Sequence, residues 1–232
     1  MISQTYRDSL VYDAIWRSVV GRTQPSDSVL EMLRRLHSAF PHKRLPIADL
    51  GCGAGRHVAA SISSGYKVYG VDYCPSALLA ATKLLSDPLL SPIADRCHLV
   101  RTDCFRWIAD RPHRSLLAVI CHDSIHHNCP SLQELSSRVS SIFSAVVEGG
   151  FVALTILADI EYSGSDVPPD RLRLTEAAAH TLMDAFLNTA VIKKSCKRFT
   201  IPETVTFDGE RTVVTSYSAT RVSRLYQSLR VG

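Results

Sequence analysis

Ile47-Ala48-Asp49-Leu50-Gly51-Cys52-Gly53-Ala54-Gly55-Arg56-His57 is the stretch on which the fold turns. A short apolar run ends in an acid, passes through three alternating glycines and enters a segment compatible with a helix. Glycine suits such a turn because it accepts positive φ and leaves the backbone bare enough for a ligand to lie against it. The spacing is G-x-G-x-G. Where a pyrophosphate-binding loop of the G-x-G-x-x-G type needs its third glycine, this chain has Arg56. The ligand so favoured is a nucleoside without a pyrophosphate.

The flanking sequence supplies the context. Residues 56–64 are compatible with a helix, and Gly65 stands where a C-terminal capping glycine is expected. Residues 67–72 read as a strand ending in Asp72, about twenty residues past the glycines, where an acid accepts hydrogen bonds from a ribose. An acid at a strand end can also simply cap the next helix, here opened by Pro75 and running to about Ser86. Further strands are expected at 45–50, 97–102, 116–121 and 151–157, and further helices at 105–109 and 131–147. Such alternation predicts a mostly parallel sheet covered on both faces. Ahead of it, residues 6–20 are expected to form a helix. Ser26 is expected to cap another that buries Val29, Leu30, Leu33 and Leu36. Gly149-Gly150 marks a turn before the fifth strand. After a helix at 175–187, two β-type runs, 191–201 and 211–222, flank the hairpin signal Asp208-Gly209.

The glycine motif, the two carboxylate-ended strands and the closing hairpin resemble the class I S-adenosylmethionine-dependent methyltransferases, over residues 45–222. The resemblance implies an α/β three-layer sandwich, with a doubly wound, mostly parallel seven-stranded sheet ending in an antiparallel hairpin. It also implies one domain over 1–232, with residues 1–40 as an N-terminal helical cap. Its donor would be S-adenosylmethionine, leaving as S-adenosylhomocysteine. Gly51, Cys52, Gly53 and Gly55 would approach the amino-acid portion, with Asp49 ordering the loop and contacting the ammonium. Asp72 and its neighbour Tyr73 would hold the ribose, while Asp103 and Cys104 would meet the adenine. Asp103 also suits a helix N-cap. Tyr12 and Trp16 belong to a Tyr-Asp-containing leader (residues 12–16) in which an aromatic ring covers the donor or meets the acceptor, a cation–π contact being physically reasonable.

The run Cys121-His122-Asp123-Ser124-Ile125-His126-His127 follows the fourth strand and resembles the fourth motif of small-molecule methyltransferases. Asp123, His126 and His127 are the catalytic candidates. A histidine near the acceptor could take a proton, and a carboxylate could hold a cationic or hydroxyl-bearing acceptor. Histidines here can equally be packing residues. The cluster is a poor zinc motif: the H-E-x-x-H form is absent and no third ligand is evident, so no metal is expected. Residues 158–174 read as a long connection at the sheet's carboxyl edge, an acceptor-binding flap that includes Asp159 and Tyr162.

Composition bounds the remainder. The chain has 232 residues, a formal charge of +4 and seven dispersed cysteines without a C-x-x-C pair, which read as reduced thiols of a cytoplasmic protein. No apolar run approaches the ~20 residues of a membrane span, and the N-terminus lacks a secretory apolar stretch. The basic residues are scattered apart from Lys193, Lys194, Lys197 and Arg198, which read as one solvated strand face and a poor footprint for nucleic acid. The Asn/Asp-Pro-Pro-aromatic run of base-amine methylation and the Pro-Cys of cytosine-C5 methylation are both absent. The expected acceptor is therefore a small molecule methylated at nitrogen or oxygen. A protein, peptide or RNA acceptor, or a non-catalytic binding subunit, is the alternative. Oligomeric state is not legible.

Overall fold

The structure is a computed structural model describing residues 24–42, 44–127, 129–163, 172, 174–185, 189–208 and 211–229. The expected first helix, Tyr12 and Trp16 lie outside them. Five strands, β1 (Ile47–Leu50), β2 (Val68–Asp72), β3 (Cys97–Arg101), β4 (Leu116–His122) and β5 (Val146–Ser163), pair in parallel. β6 (Thr189–Asp208) and β7 (Arg211–Ser228) form an antiparallel hairpin, with β7 between β5 and β6, giving the order β3-β2-β1-β4-β5-β7-β6. The order reverses between β1 and β4. At their carboxyl ends lies the crevice where open α/β sheets take ligands.

Among the described residues, six α-helices cover the sheet. α1 (Asp27–Ala39), α2 (Arg56–Ser63) and α3 (Pro75–Leu85) contribute Val29, Met32, Leu36, Val58, Ile62 and Leu85 to the core of one face. α4 (Cys104–Ala109), α5 (Leu132–Ala145) and α6 (Glu176–Asp184) contribute Ile108, Leu135, Val139, Ile142, Ala179 and Met183 to the other. The three-layer sandwich is the expected one.

Local corrections have physical causes. Leu30 is 48% exposed while Met32 is buried, because Val29, Met32, Leu33 and Leu36 share a helical stripe that Leu30 leaves by one step. Gly149-Gly150 lies inside β5 as an irregularity rather than before the strand. Leu116 pairs with Val146 and Ala118 with Phe151, so β5 carries extra residues there, and Gly149 takes φ 74°. The hairpin strands are longer than expected, β6 at both ends and β7 at its C-terminal end. The basic run of β6 is divided by strand alternation, since Lys193 and Lys197 side chains lie on one face of the sheet and Lys194 and Arg198 on the other.

The largest correction concerns the start of the flap expected over residues 158–174, of which 164–171 and 173 lie outside the described residues. β5 continues through Ser163, pairing Glu161 with Ser218 and Tyr162 with Tyr217. Its polar residues find partners across the ladder: Arg198 Nη2 donates to Glu161 Oε2 at 2.7 Å, and the Ser218 hydroxyl donates to the same oxygen at 3.1 Å. Asp159 sits at a one-residue bulge with φ 46°, its two carboxylate oxygens accepting from Glu176 N at 3.2 Å each, at the start of α6. Asp159 thus caps a helix, and Tyr162 belongs to a strand rather than to the expected connection.

Candidate active site

The glycine loop is built by backbone geometry. Gly51, Gly53 and Gly55 all take positive φ, at 72°, 54° and 82°. A Cβ on Gly51 would lie 2.5 Å from Ser124 Cβ, so the side chain is excluded by the loop after β4 as well as by its own torsion. Gly51 N and Cys52 N both donate to Val71 O, at 2.8 and 3.1 Å, tying the turn to β2. Ser124, not singled out by the sequence, donates its hydroxyl to Leu50 O at 2.6 Å and so joins the ends of β1 and β4.

Asp72 accepts from Gly53 N and from Cys74 N, both at 2.9 Å. Its first job is therefore to hold the glycine loop against the β2–α3 turn, where half-buried Tyr73 also lies. Burial raises its pKa while those backbone amides lower it. Asp103 caps α4, one oxygen accepting from Phe105 N at 2.8 Å and Arg106 N at 2.9 Å, as one of its two expected roles requires. Its other oxygen makes no hydrogen bond among the described residues. Cys104 follows in the first turn and is buried.

Asp49 is 1% exposed, and its Oδ2 has no hydrogen-bond partner among the described residues. Burial pushes its carboxyl up to about 7, Arg56 opposing and Asp72 reinforcing the shift. His57 stands 4.0 Å away through Nδ1, while its Nε2 accepts from Ser26 N at 3.3 Å. Burial, assisted by Arg56, keeps that imidazole neutral by lowering its pKa well below the ordinary range. His57 therefore brings no charge to Asp49, and the orphaned oxygen is matched to a cation arriving from outside the chain.

The loop after β4 holds the three catalytic candidates in different states. Asp123 takes φ 59° and is gripped by Arg221 of β7, with Nε 3.0 Å from both carboxylate oxygens and Nη2 2.5 Å from Oδ2. Burial disfavours its charge, but His122 at 3.3 Å and Arg221 outweigh it and hold the carboxyl far below the usual carboxylate range. Asp123 is thus a paired carboxylate, neither a proton acceptor near neutrality nor an open seat for a cationic acceptor. His126 is completely buried, with its ring 4.3 Å from that of His127, so it packs the loop instead of facing solvent. His127 is half-buried.

Two arginines missed by the sequence organise this loop. Arg138 on α5, 7% exposed, donates through Nη1 to Ile125 O at 3.0 Å and His127 O at 2.7 Å. Its guanidinium also lies 4.3 Å from the Phe105 ring centre. Arg221 is the second. Arg56 completes the cluster, with Nη2 3.3 Å from His122 Nδ1. Only an arginine opening the apolar part of β7 hinted at any of this. A separate group of donors, Glu176, His180 and Cys196, lies within 4.8 Å on the opposite face. There Arg224 Nη2 occupies His180 Nδ1 at 2.5 Å, which leaves the proton on Nε2, 3.6 Å from Glu176 Oε1. Those contacts make a hydrogen-bonded cluster.

Comparisons with known proteins agree with this geometry. Residues 47–150 match the family model described as a methyltransferase domain. A search of curated protein sequences finds no match. Among solved structures, the chain is similar to the 1,6-didemethyltoxoflavin-N1-methyltransferase of Burkholderia thailandensis, with 14% identity, TM-score 0.57, and 97% of this chain and 88% of that one covered. It is also similar to the magnesium protoporphyrin IX methyltransferase of Synechocystis PCC 6803, with 17% identity, TM-score 0.56, and 94% and 98% covered. The [4+2]-cyclase SpnF matches with 10% identity, TM-score 0.60, and 98% and 95% covered. Residues 47–150, which span the glycine loop and β4, are thus similar in sequence to a methyltransferase domain, and the solved structures share the fold on which that stretch is set.

Proposed function

We propose that this protein transfers a methyl group from S-adenosylmethionine to a nitrogen or oxygen of a small molecule. The observation that carries the donor assignment is the orphaned, 1% exposed carboxylate oxygen of Asp49 beside a loop of three positive-φ glycines. A ligand with an ammonium on a nucleoside fits both. Asp49 would meet the ammonium, the bare backbone of Gly51, Gly53 and Gly55 would lie along the amino-acid portion, Asp72 would take the ribose and the free oxygen of Asp103 the adenine amino group. The donor supplies an electrophilic methyl on a sulfonium sulfur. The protein's contribution is alignment and exclusion of water. Of the three candidates after β4, His127 is the one left for proton transfer, since Asp123 is paired and His126 buried.

A small acceptor is supported by the small molecules named for two of the similar structures, and by the basic residues of β6 being split over two faces instead of forming a stripe. Similarity to a [4+2]-cyclase favours one second reading, a fold member that does chemistry other than methyl transfer. Calorimetric titration with S-adenosylmethionine and S-adenosylhomocysteine, on wild type and Asp72→Ala, tests the donor site. The expected result is binding that weakens in the variant. Failure of folded wild type to bind either ligand would refute the proposal. Labelled-donor assays on metabolite, peptide and RNA pools then separate the acceptor classes.

A further inference from the structure

We infer that the acceptor of this site carries a carboxylate, taken by Arg221 and Lys197 on the face of the sheet above the end of β4. The inference rests on the methyl-transfer reading and sharpens its substrate class.

Charge around the loop is the first argument. A carboxylate in this loop suggests a seat for a cationic acceptor, and the sequence offers Asp123 for it. In the fold Asp123 is already saturated by the fork of Arg221 and by His122. The same ring nitrogen of His122, Nδ1, also lies 3.3 Å from Arg56 Nη2. Asp123 therefore offers a protonated amine no open carboxylate at the end of β4, since the Arg221 guanidinium already holds both of its oxygens.

Geometry is the second. Lys197 lies directly opposite Arg221 in the β6–β7 ladder, so both side chains rise from the same face. Like charges directly opposite one another destabilise a strand pair unless something anionic lies near. Asp123 compensates one of the two. Lys197 is exposed and makes no salt bridge among the described residues, and Arg221 keeps Nη1 without a hydrogen bond among them. A carboxylate bridging Lys197 and Nη1 completes the set.

Shape is the third. The ring of Phe199 lies under the Arg221 guanidinium, 4.3 Å from its carbon, two residues along β6 from Lys197. That gives the cations an apolar floor, which suits a planar acid better than a hydrated inorganic ion. Leu157, opposite Arg221 on β5, is buried beside it. The level is right as well. β4 ends at His122, which pairs with Thr155 of β5, and Arg221 pairs with Leu157, two residues further toward the carboxyl edge.

The test uses three probes of matched shape, 4-hydroxybenzoate, 4-hydroxybenzyl alcohol and 4-hydroxybenzylamine, titrated by ligand-observed NMR into full-length protein saturated with S-adenosylhomocysteine. Saturation is measured first. If S-adenosylhomocysteine does not bind, the methyltransferase reading fails; if it binds, the probes judge the charge assignment alone. The acid is expected to bind best and the amine worst. Arg221→Gln and Lys197→Gln should each weaken the acid about tenfold, the scale of a hydrogen bond to a charged group, and leave the alcohol within about twofold. Lys197 is exposed, so its variant reports even if loss of Arg221 disturbs the fold. Asp123→Asn, which releases the guanidinium, should hold or tighten the acid. Equal binding of acid and amine, preference for the amine, absence of acid binding, or an acid affinity indifferent to Lys197→Gln would overturn the inference.

Discussion

With the donor's ammonium on the orphaned Asp49 carboxylate, as proposed, donor binding becomes a proton-linked event. Burial holds its pKa up at about 7, whereas the unfolded chain has an ordinary carboxyl at 3.8. An ammonium seated on Oδ2 needs the ionised form, so binding below pH 7 must expel a proton. With a pKa of about 7, roughly 1% of the sites are ionised at pH 5 and about half at pH 7. The affinity for S-adenosylhomocysteine should therefore rise about fifty-fold across those two pH units and level off above them. Calorimetry in two buffers of different ionisation enthalpy measures both quantities, and close to one proton per site should be released at pH 5 to 6. Asp49→Asn should bind more weakly at pH 7 and lose both the slope and the proton release. The unliganded protein obeys the opposite sign. Because the folded pKa lies above the unfolded one, this group's relative stabilisation is complete below pH 3.8 and is lost as pH rises through about 7. Replacement by Asn should flatten that part of the thermal-stability profile. An affinity independent of pH from 5 to 7, with no proton released, would refute the assignment of Asp49 to the ammonium.

Four further substitutions, at three positions, separate structural from functional roles. Gly51→Ala places a Cβ 2.5 Å from Ser124 Cβ at a φ of 72°, and should cost about 1–3 kcal/mol in denaturant unfolding while weakening donor binding. Asp103→Ala should lose about 1 kcal/mol with the cap of α4. Asp103→Asn should keep the cap and still weaken S-adenosylhomocysteine roughly tenfold if the free oxygen takes the adenine amino group. Arg221→Met leaves Asp123, 20% exposed, without its fork, and should cost about 1–3 kcal/mol at pH 7. Asp123 has a folded pKa below its unfolded one, so the pair's contribution is present above about pH 4 and fades on acidification. The difference in Tm between wild type and variant should shrink accordingly, and a constant difference would count against the pair.

What could be read from the sequence follows from how local each constraint is. The glycine loop, its strand and the acids at positions 49, 72 and 103 were legible because each answers to its neighbours: a positive-φ turn, a strand end, a helix start. The end of β5 was misread for the complementary reason. Asp159, Glu161 and Ser163 look like a loop in isolation, and only partners on β6 and β7 make a strand there favourable. His126 and Asp123 were placed correctly in the chain, but their chemical states are set from elsewhere, by burial for one and by Arg221, 98 residues distant, for the other.

On the proposed reading, the same contrast divides the site into two halves with different physics. The donor half is specified by backbone: amides, bare glycines and a desolvated carboxylate, all within or beside β1 and β2. The acceptor half is specified by side chains brought together over long separations, Arg56 with His122 across 66 residues and Asp123 with Arg221 across 98. Backbone constraints allow few alternatives, since a Cβ at Gly51 has nowhere to go. Side-chain pairs can be exchanged one at a time at the cost of a few kcal/mol each, without disturbing the loop that holds the donor. On the proposed reading, substrate choice would be carried by the hairpin and the loop after β4, and Arg221, which joins them, is where a change of acceptor charge would first be written.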